Sequence, residues 1–371
     1  ETDKAHNFDG RSYALATASV RLLNSLDVWD EIKNEAEPVN EIKVSDGLLN
    51  ESPSRFTLDF KKPTPDQDPL AQILEDHLLR CALLVKVKSN NKIRYIAGKK
   101  VEHFETSVKF AKTYLNDGSL IISKLIVGAD GRNSWTARKA NINYIKKDYD
   151  QTALVCAVSH EKPHQGVAYQ HFFPSGPLAI LPLKGKNSSI VWTENKKQAS
   201  EIMKLDDKEY MDILLPRFGK FLGKLRLVGK RFSFPLNLLL AENFISHRLA
   251  LIGDAAHGVH PIAGQGLNAG LKDIAAFVQV LKEARQRGED ISSSMVLERY
   301  QVWRRFDSVS LTLTTDLFNT IFSNHYSLVR PFRNLGMGFI NHFTPLKKSV
   351  IREATGLGGK IPDLMKDSYT D

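Results

Sequence analysis

The sequence predicts an α/β fold with an α+β insertion: one α/β domain interrupted by a mainly antiparallel sheet and followed by helices. Three observations carry this prediction. A short apolar strand, Arg248-Leu249-Ala250-Leu251-Ile252, leads through Gly253 and a glycine-rich turn into a helix, the building unit of α/β sheets. A strand-rich region from Ala153 to about Pro235 separates it from an earlier strand that ends at Gly128-Ala129-Asp130-Gly131. No repeat or low-complexity linker lies between them, so the domains are interleaved rather than strung in series.

In chain order, Ser12 to Leu26 carries Leu15, Val20, Leu22, Leu23 and Leu26 at helical spacing, and Leu70 to Leu84 does the same after Pro69. Between these two expected helices, Ile42-Lys43-Val44 and Arg55 to Phe60 alternate as half-buried strands do. Val108–Leu115 and Leu120–Val127 read as two strands around the turn Asn116-Asp117-Gly118. Five further strands are expected at Ala153–Val158, Tyr169–Phe173, Leu178–Leu183, Ser189–Thr193 and Arg226–Phe234, with helical sequence around Lys208 to Leu222. The helix after Gly266 shows Leu267, Leu271, Ile274, Val278 and Leu281 on one face, and from Ser294 the pattern is helical with breaks at Pro331 and Pro345.

Composition narrows the function classes. With 371 residues, 42% hydrophobic and 25% charged, the chain suits a globular protein and excludes a disordered or collagen-like one. Cys81 and Cys156 are far apart, which supports neither a disulfide framework nor a cysteine zinc site and favours a reducing, cytoplasmic setting. No apolar run approaches the roughly 20 residues of a membrane span, and Glu1-Thr2-Asp3-Lys4 lacks signal-peptide character. The net charge of +9 is scattered and no nucleic-acid motif accompanies it, so nucleic acid is not an expected partner.

The chemistry concentrates in Gly253-Asp254-Ala255-Ala256-His257 and in Pro261, Gly264-Gln265-Gly266-Leu267-Asn268. Small residues at a strand end let a flat ligand approach the backbone, the carboxylate accepts bonds from hydroxyls, and a helix start favours negative charge. This pattern resembles the second flavin motif of the FAD-dependent aromatic hydroxylases, the class A flavoprotein monooxygenases. Leu125 to Gly131 with Ser134 resembles the family's other internal motif, although Ala137 stands where the family usually has arginine. The stretch Asp9-Gly10-Arg11-Ser12 resembles the segment whose arginine reaches FAD, and Arg11 near a helix start is the plain structural alternative. Phe173 to Leu183, along with Gly356 to Met365, resembles the ubiquinone-biosynthesis branch.

The resemblance implies an FAD-binding Rossmann-like domain of the p-hydroxybenzoate-hydroxylase type. Its expected segments are residues 1–40, 66–150 and 246–293, with a substrate sheet from 41–65 and 151–245 and C-terminal helices over 294–371. It implies that Asp254, with Gly253 and Ala255, holds the ribityl chain. Asp130 and Gly131 would sit near the pyrophosphate and the nicotinamide cofactor, and Pro261, Gly264, Gln265, Gly266, Leu267 and Asn268 would form the flavin-ring environment, with no general base identified. The implied reaction is ring hydroxylation of a polyprenylated phenol in ubiquinone biosynthesis, with FAD as cofactor and NAD(P)H and O2 as co-substrates. A hydroxylase of another small phenol and a non-catalytic scaffold stay open as alternatives. The family's Gly-x-Gly-x-x-Gly unit is not found in the sequence, and its place is expected before residue 1.

Two other clusters have competing readings. His257-x-x-His260 could suggest a metal, but no third ligand is near and flavin explains the glycine-rich setting better. Arg304, Arg305, Arg330, Arg333, Lys347, Lys348 and Arg352 interleave with phenylalanines, a pattern that suits either core packing or peripheral contact with the inner membrane and other ubiquinone-biosynthesis proteins.

Overall fold

The computed structural model describes residues 10–46, 57–62, 67–258, 264–322, 351–352 and 355–367. Among them the strands form four sheets. The largest has eight strands in the order His257–Gly258, Leu225–Ala241, Tyr144–His160, Asn187–Asn195, Gly176–Leu183, Val167–Phe173, Glu41–Asp46, Thr57–Lys61. It is antiparallel except where Val167–Phe173 pairs parallel with Glu41–Asp46. This is the inserted sheet, and the early strands at 41–46 and 57–61 join its far edge.

Alternation decides which side of that sheet packs where. Leu154, Cys156, Leu178, Ile180, Ile190 and Trp192 form a core with Tyr210, Leu214 and Phe218 from the helix Asp207–Phe218. Directly paired residues share a face, so the opposite face carries the row Phe232, Val155, Val191, Ala179 and Gln170 across five strands. That face turns toward the α/β part: the position of a Cβ on Gly10 lies 3.1 Å from the backbone of Ala157, and Ser189 Oγ donates to Gly10 O at 3.0 Å.

The α/β part contains two small sheets, Ser12–Leu15 with Ala71–Glu75 and Glu37–Val39, and Ile245–Ser246 with Leu249–Leu251 and Ile126–Gly128. Its helices bury their apolar sides in two cores, one of them joining Leu22, Leu23 and Leu79 to Leu271 and Ala275.

Several expected elements change. Ser12–Leu15 is a strand and the helix begins at Thr17, and likewise Ala71–Glu75 is a strand before the helix Asp76–Ser89. Short apolar runs fit both periods, and here sheet pairing between the two segments wins. The expected strand Leu120–Val127 splits: Leu120–Ser123 belongs to a meander with Ala111–Leu115 and Val101–Thr106, whereas Ile126–Gly128 enters another sheet. Buried Arg248 holds the break, donating to Lys124 O at 3.1 Å while its own carbonyl accepts from Ile126 N. Tyr144–His160 and Leu225–Ala241 are far longer than expected, and Tyr144–His160 runs on across a bulge between Asp148 and Gln151 that takes in position 150. A domain limit at 150 therefore falls inside a strand.

Along the helix Gln265–Gln286, Ile274 and Val278 are 38% and 44% exposed, which corrects the expected apolar face. Leu271 is buried as expected and Leu267 and Leu281 pack partly buried against the cores, but the buried side also takes in Phe277 and Val280 and the small or polar Asn268, Ala269, Asp273, Ala275 and Ala276, which a count of large apolar residues at helical spacing passes over. Arg304 is 1% exposed, so this member of the basic cluster faces the interior and not a bilayer. Of that cluster, Arg330, Arg333, Lys347 and Lys348 lie outside the described residues.

Candidate active site at the carboxyl edge of the α/β sheet

Ile126–Gly128 and Leu249–Leu251 run parallel with Gly128 opposite Leu251, so the segments that follow leave the sheet side by side. One carries Asp130 and Gly131, the other Gly253 and Asp254. Ligands of such sheets lie off the carboxyl ends of the strands. Gly128 has no room for a side chain, since a Cβ would stand 2.8 Å from Leu251 Cδ2.

Gly253 adopts φ +59°, and its backbone meets Gly270 of the following long helix, where a Cβ on Gly270 would lie 3.3 Å from Gly253 Cα. Ala255 is fully buried beneath. Asp254 is thereby turned outward, its side chain 42% exposed, and its Oδ2 accepts a 3.1 Å bond from Arg132 Nε.

Asp130 is committed to local structure. It accepts bonds from Ser134 Oγ and from Thr136 N and Oγ1 at the start of the helix Trp135–Lys139. Burial raises its pKa, but these donors outweigh it and hold the carboxyl below its ordinary value. Gly131 follows with φ +79° and open space where a Cβ would point. Ala137, in the place of the family's arginine, is wholly buried.

The helix Gln265–Gln286 starts beside this edge. Gly264 is its N-cap in the left-handed region, with φ +64°. A helix leaves its first N–H groups without acceptors of its own, and here Gly266 and Leu267 occupy that turn. A Cβ on Gly266 would meet nothing within 4 Å among the described residues, which leave the backbone there open to a flat ligand. Asn268 serves a different purpose. Its Oδ1 accepts from Ala16 N at 2.9 Å and Ser19 Oγ at 2.7 Å, and its Nδ2 donates to Ala14 O and Gly264 O. The Asn268 side chain is thus spent in joining two elements, which leaves its backbone N–H as the group that the resemblance puts near the flavin ring. Pro261, together with His260, lies outside the described residues.

Arg11 lies against the large sheet. Its guanidinium lies 5.3 Å from the Phe232 ring centroid and 3.5 Å from Asp76. Asp76, nearly buried, also accepts from Tyr13 OH at 2.7 Å.

A buried hub that patterning does not single out lies beneath the edge. Asp273 is fully buried and receives Gly253 N at 2.9 Å, His257 Nε2 at 2.6 Å and Arg304 Nε at 2.7 Å. Arg304 continues to Asp307, which also pairs with Lys272 at 2.9 Å. Burial raises the Asp273 pKa, while His257 and Arg304 pull it down, and the net direction is below the ordinary value. His257 is thus a structural donor. Residue type alone gives no signal for this pair, because both helices bear other charges, among them Lys272, Glu283, Arg299 and Arg305, and only burial sets Asp273 and Arg304 apart.

The two Asp-bearing strand ends, the glycine-opened helix start and the partly exposed Asp254 fit the ribityl and ring portions of FAD. The comparisons agree. Residues 1–306 match a family profile described as FAD binding domain. Ubiquinone hydroxylase UbiL of Rhodospirillum rubrum is 38% identical over 365 residues, covering 98% of this chain and 84% of that protein. Ubiquinone biosynthesis monooxygenase COQ6 of Danio rerio is 30% identical, covering 94% and 80%. The p-nitrophenol 4-monooxygenase PnpA of Pseudomonas putida shares the fold at 18% identity and TM-score 0.78, covering 97% and 91%. PqsL of Pseudomonas aeruginosa does so at 19% identity and TM-score 0.70, covering 87% and 88%.

Proposed function

Given that this chain belongs to the FAD-binding monooxygenase family that includes the ubiquinone hydroxylases, we propose that it hydroxylates the ring of a polyprenylated phenol in ubiquinone biosynthesis, using NAD(P)H and O2. The observation that carries the reading is the row Phe232, Val155, Val191, Ala179 and Gln170, which lies on the sheet face turned toward Gly10 and Arg11. Four of these five side chains are apolar, and three of those, Val155, Val191 and Ala179, are smaller than leucine, so the surface accepts a flat ring and sheds water from it.

FAD, when bound, would supply the electrons and the activation of O2 that ring hydroxylation needs. The chain supplies the surroundings. Asp254 accepts bonds from sugar-like hydroxyls, and the positive end of the Gln265–Gln286 helix favours negative charge at its start. Gly266 and Gly131 keep the backbone open to a ligand, and Arg11 contributes a cation against the large sheet. A prenyl tail adds affinity by burial, roughly 0.8 kcal/mol per methylene. Contact with the inner membrane and with other enzymes of the pathway belongs to this reading. No helix among the described residues is long and apolar enough to cross a membrane.

The test is turnover by the purified protein supplied with FAD. A phenol with a short prenyl tail should stimulate NAD(P)H oxidation and take up one atom of labelled O2. Preference for a soluble, unprenylated phenol would move the reading to another hydroxylase of the family. Protein that takes up no FAD would support the scaffold alternative.

A further inference from the structure

We propose that Arg132 is a positioning residue that sets the charge and orientation of Asp254 and links the cofactor edge to the substrate sheet. The inference deepens the reading of Asp254 as a cofactor ligand and rests on it.

Arg132 follows Gly131, beyond the end of the strand Ile126–Gly128, and its guanidinium reaches two remote segments of the chain. Nε donates to Asp254 Oδ2 at 3.1 Å, on the neighbouring strand end. Nη1 donates to Asn237 Oδ1 at 3.1 Å and reaches Asn237 O at 3.4 Å. Gly258 permits this approach, since a Cβ there would lie 3.3 Å from Arg132 Cζ. One planar cation therefore spans three elements: the Asp130 turn, the Asp254 turn and the long strand Leu225–Ala241.

That strand is the one that carries Phe232 in the ring-facing row, and its end pairs with His257–Gly258. The guanidinium thus stands between the two halves of the site. A fork with several donors in one plane fixes both acceptors at once, which a single ammonium does not. A carboxylate has about four lone-pair positions, so Asp254 keeps acceptor capacity for a ligand hydroxyl while bound to Arg132. The cation also offsets the Asp254 charge at an edge where the flavin becomes negative on reduction. Asp254 and Arg132 are 42% and 34% exposed, so both are within reach of a ligand.

Two measurements on FAD-loaded protein test this. Arg132→Ala should weaken FAD binding about fivefold to tenfold, read by fluorescence titration, and should shift the flavin midpoint potential to a more negative value. Arg132→Lys should restore most of the potential, because it keeps the charge, but not the affinity, because it loses the fork. In an Asp254→Asn background Arg132→Ala should cost little further affinity, since the two act as a unit. Unchanged FAD affinity and potential in Arg132→Ala would overturn the proposal, as would full additivity with Asp254→Asn. If Asp254→Asn itself leaves FAD affinity unchanged, the reading of Asp254 fails first, and the two failures are told apart.

Discussion

At the residue scale, Asp254 and Asn268 both belong to the glycine-rich segment, yet they do opposite kinds of work. Asp254 faces outward with acceptor capacity to spare, whereas all the hydrogen-bonding capacity of the buried Asn268 amide is directed at the protein. Asp254→Ala should therefore weaken FAD binding by about tenfold or more while leaving the unfolding midpoint of the cofactor-free protein nearly unchanged. Asn268→Leu should do the reverse first: it strands Ala16 N, Ser19 Oγ and Ala14 O, and should cost about 2–4 kcal/mol in denaturant unfolding. A stable Asn268→Leu protein would show that these bonds are not needed. The sequence marks both residues as site candidates, but residue type and spacing do not tell that the Asn268 side chain turns into the protein while the Asp254 side chain turns out of it.

At the element scale, the start of the Gln265–Gln286 helix separates two glycines that look alike in sequence. Gly264 has φ +64° and a Cβ there would stand 3.2 Å from Ala14 Cβ, so Gly264→Ala should destabilise by about 1–2 kcal/mol. Gly266 has ordinary helical backbone and open space beside it. Gly266→Leu should leave the thermal midpoint equal or slightly higher, since glycine is a poor helix former, yet abolish FAD uptake by filling the approach to the backbone. Loss of stability together with full FAD binding in Gly266→Leu would refute this placement. The same scale shows why element boundaries were hard to read. Ser12–Leu15 and Ala71–Glu75 are strands because they pair with each other across the fold, and a window along the chain holds no information about a partner so distant. The long helix and the antiparallel strands after Ala153 were legible, because their period repeats many times.

At the scale of the whole molecule, Asp273 joins the Asp254 turn to both long helices through Gly253, His257 and Arg304. Asp273→Leu should destabilise by about 3–5 kcal/mol, since it takes from the buried Arg304 one of its two carboxylates and leaves Gly253 N and His257 Nε2 without their acceptor. Acid should reveal the same hub. The folded pKa of Asp273 lies below its unfolded value, so its contribution is complete above about pH 4 and is lost as pH falls through the lower folded value. Asp290 behaves alike, held down to about 2 by hydrogen bonds from Ser292 and Arg248. The gap in thermal midpoint between wild type and Asp273→Asn should therefore narrow as the pH falls below the ordinary carboxylate range. A gap that stays constant as the pH falls would refute the assignment.

The sequence by itself determined the interleaved α/β and antiparallel architecture, the Asp254 segment with its glycines, and the family to which they belong. Each of these is written in local terms: a strand ending in small residues, a carboxylate, a glycine where a ligand or a turn needs no side chain. Only the tertiary structure decided that Asp130 accepts at a helix start, that Asn268 joins two elements, that Arg132 pairs with Asp254 and that Asp273 pairs with Arg304 beneath it. These roles depend on partners from remote parts of the chain. A buried ion pair or a bridging amide exists only once folding has brought both ends together, and neither end alone carries a mark of the other.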